Sequence, residues 1–396
     1  MKAGRRNQAQ EGKAQFFVGE AFFRASSRTG RDLAVLAAIA YKRKHGSLRI
    51  LDAMTGCGVR PLRYVLEAEA DYVWANEGNV DLRSLLGANL SCGLTCDRYH
   101  ITHMDANAAF FDCYQRQDFY DLIDIDSFGG PMPYLSTALW AVKLGGLLYL
   151  TSTDGRATSG HAPEKSVQTY GATARSHPAI HEQGLRLLIG AVAQQAAAKG
   201  LAAYPVFSFY QGEVNRVMVR VTRRSAETAG PKAGPKAADR SGSQFESHYG
   251  FLAYCHHCGH FQTVLWKKLG RVVCPCAAAD APVVSGPMWL GPLHDSETLT
   301  NMQHIMIEHH AQQPSDSGVH CQELLAMMQA EATMPPYHYT LAEIGRRGKM
   351  DIPPRQSLIE KLQQQGFQAT RTHLSAQAIK TNAPIARCIQ LAQQLS

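Results

Sequence analysis

No stretch of these 396 residues approaches the ~20 consecutive apolar side chains that a membrane-spanning helix needs, and the N-terminus has no apolar leader core. The expectation is a cytoplasmic protein with no membrane association. Disulfide architecture is missing too. The ten cysteines stand at 57, 92, 96, 113, 255, 258, 274, 276, 321 and 388, and only the group at 255–276 has a spacing with chemical meaning. Acidic residues are in deficit: 33 Asp and Glu face 40 Lys and Arg, and the formal net charge of +7 favours a polyanionic partner such as nucleic acid. Nothing implies an obligate protein partner. The hydrophobic share of 45% is ordinary for a core-forming protein, and the length exceeds that of one usual domain.

The most organised stretch is Leu48–Arg60. Ile50 and Leu51 lead to the carboxylate of Asp52, and a turn with Gly56 and Gly58 follows before a helical pattern begins at Val59. This reads as strand, tight turn and helix, the arrangement that puts a ligand outside the carboxyl end of a strand. Before it, residues 1–15 read as a polar, basic tail that either orders on RNA or stays loose, and Phe16, Phe17, Phe22 and Phe23 as a lid on the core. Asp32 reads as the N-cap or first-turn acid of a helix.

After it, a strand at 72–75 ends on Asn76-Glu77, an acidic position suited to ribose hydroxyls, and Asp105 follows a strand at 99–102. A further strand, 119–126, delivers Asp124 and Asp126 on one face and runs through Phe128 into Gly129-Gly130. Strands continue to alternate with helices of 10–15 residues through 151, which predicts an α/β fold with a doubly wound, Rossmann-like parallel sheet. Runs at 203–210 and 214–221, separated by a turn with Gly212, predict a closing hairpin.

Residues 223–247 have almost no apolar content and read as a flexible linker. A region at 248–296 then holds the cysteines, and 297–396 shows helical patterns followed by a ribbon at 367–375, as in a winged helix. This α+β part is the most basic of the chain, with Arg346, Arg347, Lys349, Arg371, His373 and Lys380. The expected division is therefore a nucleotide-binding domain at 1–222, the linker, a zinc-ribbon region, and a C-terminal nucleic-acid-binding domain.

Two constellations carry chemistry. Exocyclic amines of nucleobases are poor nucleophiles, and a carboxylate such as Asp126 that takes a hydrogen bond and then the proton makes attack possible. An aromatic such as Phe128 can stack on the base meanwhile. Cys255, Cys258, Cys274 and Cys276, spaced C-x2-C-x15-C-x-C, suit a closed structural zinc site, with His256, His257 or His260 as alternatives to Cys276.

These residues together resemble the tRNA (guanine-26-N2)-dimethyltransferases, a family that uses S-adenosylmethionine. The matching segments are Arg31-Asp32-Leu33, Asp52–Arg60, Asn76-Glu77, Asp124–Gly129, Thr151–Asp154, His181-Glu182, Gly286–Pro292, Ile344–Arg346, Ala369–Ser375 and Ile379–Thr381. The resemblance implies a class I methyltransferase domain in which Arg31 and Arg60 hold the cofactor's carboxylate and Glu77 accepts from the ribose hydroxyls. It further implies that Asp105 and the Ala106 backbone read the adenine, that Asp126 is the catalytic carboxylate, and that Phe128 stacks on the guanine. The C-terminal domain is implied to grip tRNA. The family has Pro at the position of Ser127, Asn-Pro where Arg24-Ala25 stands, and usually Asp in place of Glu77. The competing readings are an amino-methyltransferase of another RNA or DNA base, and a non-catalytic zinc-containing RNA-binding protein.

Overall fold

The computed structural model describes residues 7–223, 247–276, 281–312 and 316–395. They form two compact units, one drawn from Met1–Ser152, Met218–Thr222 and Glu297–Leu325, the other from Thr153–Val217, Arg223–Ser296 and Ala326–Ser396. The units cut across the divisions expected at 222 and 297. The helix Ser296–Gln312 brings Leu299, Met302 and Ile305 into the core, and it is tied to the first unit by Lys44–Glu297 (3.1 Å) and Arg43–Glu308 (2.7 Å). The expected linker at 223–247 lies, apart from its ends, outside the described residues. No helix among the described residues is long and apolar enough to cross a membrane.

The first unit opens with a hairpin, β1 (Gln8–Glu11) and β2 (Ala14–Phe17), and a helix, Arg28–His45. Both depart from the expectation. The supposed tail is ordered from residue 8 because Glu11 is buried between Arg31 and Arg63, and Asp32 lies inside the helix, where it pairs with Arg63 at 2.6 Å. Then come β3 (Arg49–Asp52), β4 (Tyr72–Asn76), β5 (Tyr99–Thr102), β6 (Tyr120–Ile125) and β7 (Val142–Ser152). Helices Val59–Leu66, Arg83–Gly93, Ala106–Arg116 and Met132–Ala141 connect them. The spatial order is β5-β4-β3-β6-β7, every pair parallel. All six residues of β6 are buried, as a strand covered on both faces requires. Strand order reverses between β3 and β6, so a ligand crevice is expected beyond Asp52 and Ile125. β8 (Leu201–Gln211) and β9 (Val214–Arg223) flank a turn in which Gly212 and Glu213 both have positive φ, the geometry of a tight hairpin.

In the second unit, helix Ile180–Ala198 buries twelve consecutive residues, Glu182–Ala193, and so runs through the core. β10 (Tyr249–Tyr254) lies between β11 (Phe261–Leu265) and β12 (Val283–Trp289) in an antiparallel sheet. Strand β13 (Tyr339–Thr340), helices Leu341–Gly348 and Arg355–Gln364, and strands β14 (Ala369–Arg371) and β15 (Ala378–Thr381) follow in winged-helix order. The wing is offset from the ribbon expected at 367–375. Thr372 turns inward to donate its hydroxyl to Glu331 (2.5 Å), with the His373 ring on the same carboxylate, so the second arm begins only at Ala378. His373 and Lys380, two of the cations counted in this basic part, are drawn inward, and the Lys380 side chain is 1% exposed.

Lys380 meets Glu182 at 2.6 Å, and Arg186 (2.7 Å) and His338 (3.2 Å) converge on the same fully buried carboxylate. Burial works to raise the Glu182 pKa, but Lys380, Arg186 and His338 outweigh it and hold the group well below the usual carboxylate range. A depressed carboxylate contributes stability above its ordinary pKa of 4.5 that is lost as pH falls through the folded value. Glu182→Gln leaves two buried cations without their anion and is expected to cost on the order of 3–5 kcal/mol in thermal or urea unfolding. The variant should also lose part of the wild type's acid sensitivity below about pH 4.5.

Candidate active site

At the end of β3, fully buried Asp52 accepts the Thr55 hydroxyl at 2.7 Å. The turn that follows has Gly56 at φ 59° and Gly58 at φ 87°. A Cβ at Gly58 would stand 2.9 Å from Leu86, so both backbone conformation and space require glycine there. The Gly56 N–H donates to Glu77 Oε2 at 2.7 Å, and Asn79 N–H donates to Oε1 at 2.8 Å. Glu77 is thus oriented by backbone donors and retains lone pairs for further hydroxyls.

Asn76, buried beside it, binds the Ala53 and Met104 carbonyls at 3.1 and 3.0 Å and accepts from Thr102 at 2.7 Å. It ties together the loops after β3, β4 and β5. Sequence reasoning gave it no role, although a buried amide at a strand end that faces three loops is a signal worth reading. Asp105 caps helix Ala106–Arg116, accepting from Asn107 N–H at 2.9 Å, and stays exposed while Ala106 is buried.

Asp124 on β6 lies in register with Asp52 on β3, and both are fully buried. Arg60, in the first turn of the helix after the glycine turn, bridges Asp124 (2.9 Å) and Asp126 (2.6 Å). Tyr64, one helical turn on, donates to Asp124 at 2.6 Å. Burial first, and the Asp124 charge next, push Asp52 up from the ordinary range, while burial also raises Asp124 despite the Arg60 charge. Burial lowers Arg60's pKa but Asp124 and Asp126 outweigh it, so the guanidinium stays charged. The Asp126 side chain is 32% exposed and therefore open to a partner, unlike Asp124.

Phe128 is 79% exposed and meets Phe22, itself 62% exposed, edge to face at 5.0 Å. Two aromatic rings in water beside an accessible carboxylate suit a flat heteroaromatic ligand. The sequence pattern places Phe22 only in a lid over the core, and the structure sets its ring beside Phe128. Ser127, between Asp126 and Phe128, is buried with an unpartnered hydroxyl among the described residues.

Arg31 has other partners than Arg60. Its Nε and Nη2 donate to Glu11 at 2.7 and 2.5 Å, Nη2 also reaches the Arg24 carbonyl at 3.2 Å, and the side chain is 5% exposed. Only its Nη1 hydrogens are uncommitted in these contacts. Thus Glu77, Asp105, Ala106, Arg60, Asp126 and Phe128 all lie on the carboxyl-end loops of the parallel sheet or the helices they lead into, while Arg31 is first a partner of Glu11.

In the second unit, the four sulfurs of Cys255, Cys258, Cys274 and Cys276 lie within 4.8 Å of one another, with contacts of 3.2, 3.3 and 3.8 Å. Four thiolates on zinc at ~2.3 Å would stand about 3.8 Å apart, so the group is of the right size and donor chemistry. Cys276 completes it. His256 and His257 instead give their backbone carbonyls to Arg347.

Comparison with known proteins agrees with this geometry. A relative from Pyrococcus horikoshii named tRNA (guanine(26)-N(2))-dimethyltransferase is 28% identical over 402 residues, covering 95% of each chain. One from Aquifex aeolicus, named tRNA (guanine(26)-N(2)/guanine(27)-N(2))-dimethyltransferase, is 26% identical and covers 98% of this chain and 95% of its own. The structure of Trm1 from Pyrococcus horikoshii in complex with S-adenosyl-L-methionine superposes with a TM-score of 0.81 at 27% identity, covering 97% of this chain and 99% of that one. The model of N2,N2-dimethylguanosine tRNA methyltransferases matches residues 4–393, and the chain belongs to that family.

Proposed function

We propose that the protein methylates the exocyclic N2 of guanine in tRNA, at position 26, with S-adenosylmethionine as methyl donor. The observation that carries this reading is the placement of Asp126, partly exposed at the carboxyl end of β6, against Arg60 on one side and followed by exposed Phe128.

The donor set fits such a cofactor. Glu77, held by two backbone N–H groups at the end of β4, accepts from the ribose hydroxyls, and exposed Asp105 with the Ala106 N–H reads the adenine edge. Arg60, and Arg31 through its free Nη1, meet the carboxylate of the methionine half. When bound, the cofactor supplies an electrophilic methyl group on sulfonium. Phe128 stacks on a guanine taken out of its helix and fixes the ring plane. Asp126 accepts the N2 hydrogen bond, which localises the nitrogen lone pair, and takes the proton as the new bond forms. Arg60 donates to the Asp126 carboxylate at 2.6 Å and so fixes its position.

Asp126→Ala is expected to lower methyl transfer to tRNA by roughly a hundred- to ten-thousand-fold, while calorimetry finds the cofactor bound within about threefold of wild type. Turnover within tenfold of wild type would remove Asp126 from the catalytic role.

The cysteine group binds one structural zinc, with Cys255, Cys258, Cys274 and Cys276 as ligands and no open position for catalysis. Elemental analysis of the purified protein should find one zinc per chain, and Cys258→Ser should lose it with a lower melting temperature. A metal-free wild type would contradict the assignment.

A further inference from the structure

The chain between the two cysteine pairs serves no purpose in holding the metal beyond linking its ligands, yet it is not a minimal loop. From Leu265 to Arg271 every residue is exposed. Three large apolar side chains lie in this short span, Leu265 (39% exposed), Trp266 (51%) and Leu269 (38%), and Val273 (72%) stands two residues beyond it. Between them stand Lys267, Lys268 and Arg271, none with an ion-pair partner among the described residues, and no Asp or Glu occurs anywhere from Cys255 to Cys276. Trp266 is not loose: it packs edge to face on Phe251 at 4.8 Å, and Tyr249 lies 6.3 Å away, so the indole is fixed on one side and open on the other. The helical turn Trp266–Arg271 is carried at the end of β11, and the clustered cysteines bracket it on both sides.

An uncovered apolar cluster carries a cost in water and marks a surface that something covers. Here the cover must also tolerate three unpaired cations and no anion. That combination, an oriented aromatic face interleaved with Lys and Arg, is the chemistry of nucleic-acid contact, with phosphates on the cations and an unstacked base on the indole. A second copy of this positively charged segment would repel it.

We propose that Trp266–Arg271 is an RNA-contacting arm, distinct from the methyl-transfer site, in which Lys267, Lys268 and Arg271 engage the tRNA backbone and Trp266 stacks on an exposed base. The proposal rests on tRNA being the substrate.

The full-length protein is titrated with unmodified tRNA by fluorescence anisotropy from 50 to 300 mM salt, and its methylation rate is measured in parallel. The variant Lys267→Gln/Lys268→Gln/Arg271→Gln should bind at least about tenfold more weakly at 0.1 M salt, with the slope of log Kd against log salt reduced by roughly two to three. Trp266→Ala should weaken binding by about five- to a hundredfold with its slope unchanged, and Trp266→Phe should restore most of the loss. Zinc content, cofactor affinity and kcat at saturating tRNA should stay at wild-type values in all three. If both the triple variant and Trp266→Ala bind tRNA as wild type does, the arm is no RNA contact. Concentration-dependent self-association that is lost in the variants while tRNA affinity is unchanged would equally overturn it. Failure of the wild type itself to bind or methylate tRNA would instead overturn the substrate assignment on which the arm rests.

Discussion

One guanidinium governs the methyltransferase crevice. Parallel strands β3 and β6 bring Asp52 and Asp124 side by side in the interior, with Asp126 just beyond. Three carboxylates so close would repel one another and drive their own protonation, and burial deepens the difficulty for Asp52 and Asp124. Arg60 offsets part of that repulsion by bridging Asp124 and Asp126, and Tyr64 adds a hydrogen bond to Asp124. The glycine turn leads directly into the Val59–Leu66 helix, whose first turn carries Arg60. The position of the Asp126 carboxylate at the edge of the crevice follows from that contact.

The N-terminal hairpin applies the same rule. Glu11 neutralises Arg31 and Arg63 together, and Arg63 in turn pairs with Asp32 and Glu67, so a segment with modest apolar content becomes part of the core. The second unit is organised likewise around Glu182 with Lys380, Arg186 and His338, and around Glu331 with Thr372 and His373. In each case the buried charge is tolerated because complementary groups arrive from distant stretches of the chain, and removing one partner leaves the others exposed to the full desolvation penalty.

That long-range origin explains what was legible in the sequence. The alternation of strands and helices, the turn after Asp52, the acid at the end of β4 and the Asp126-Phe128 pair are local patterns, and the structure contains each of them. The spacing of the cysteines left Cys276 and a nearby histidine as alternatives for the fourth member of the group, and the folded chain places the Cys276 sulfur with the other three. The hairpin from Gln8 was not legible, because its order depends on arginines 20 and 52 residues away. Lys380 and His373 counted only towards the basic total, since nothing nearby in sequence announces the buried carboxylates that receive them. Phe22 could be placed near the core but not edge to face with Phe128, a contact that spans two loops. Helix Ser296–Gln312 likewise joins the first unit through Lys44 and Arg43, residues 253 and 265 positions away from their partners in the chain.

The most direct measurement is nucleoside mass spectrometry of unmodified tRNA incubated with the purified protein and methyl-labelled S-adenosylmethionine, with position mapped by nuclease digestion. The account requires label on N2 of guanine 26, as N2-methyl- and N2,N2-dimethylguanosine, and its loss when that guanine is replaced by adenine. Label on another atom or another base, or no label at all, would contradict it.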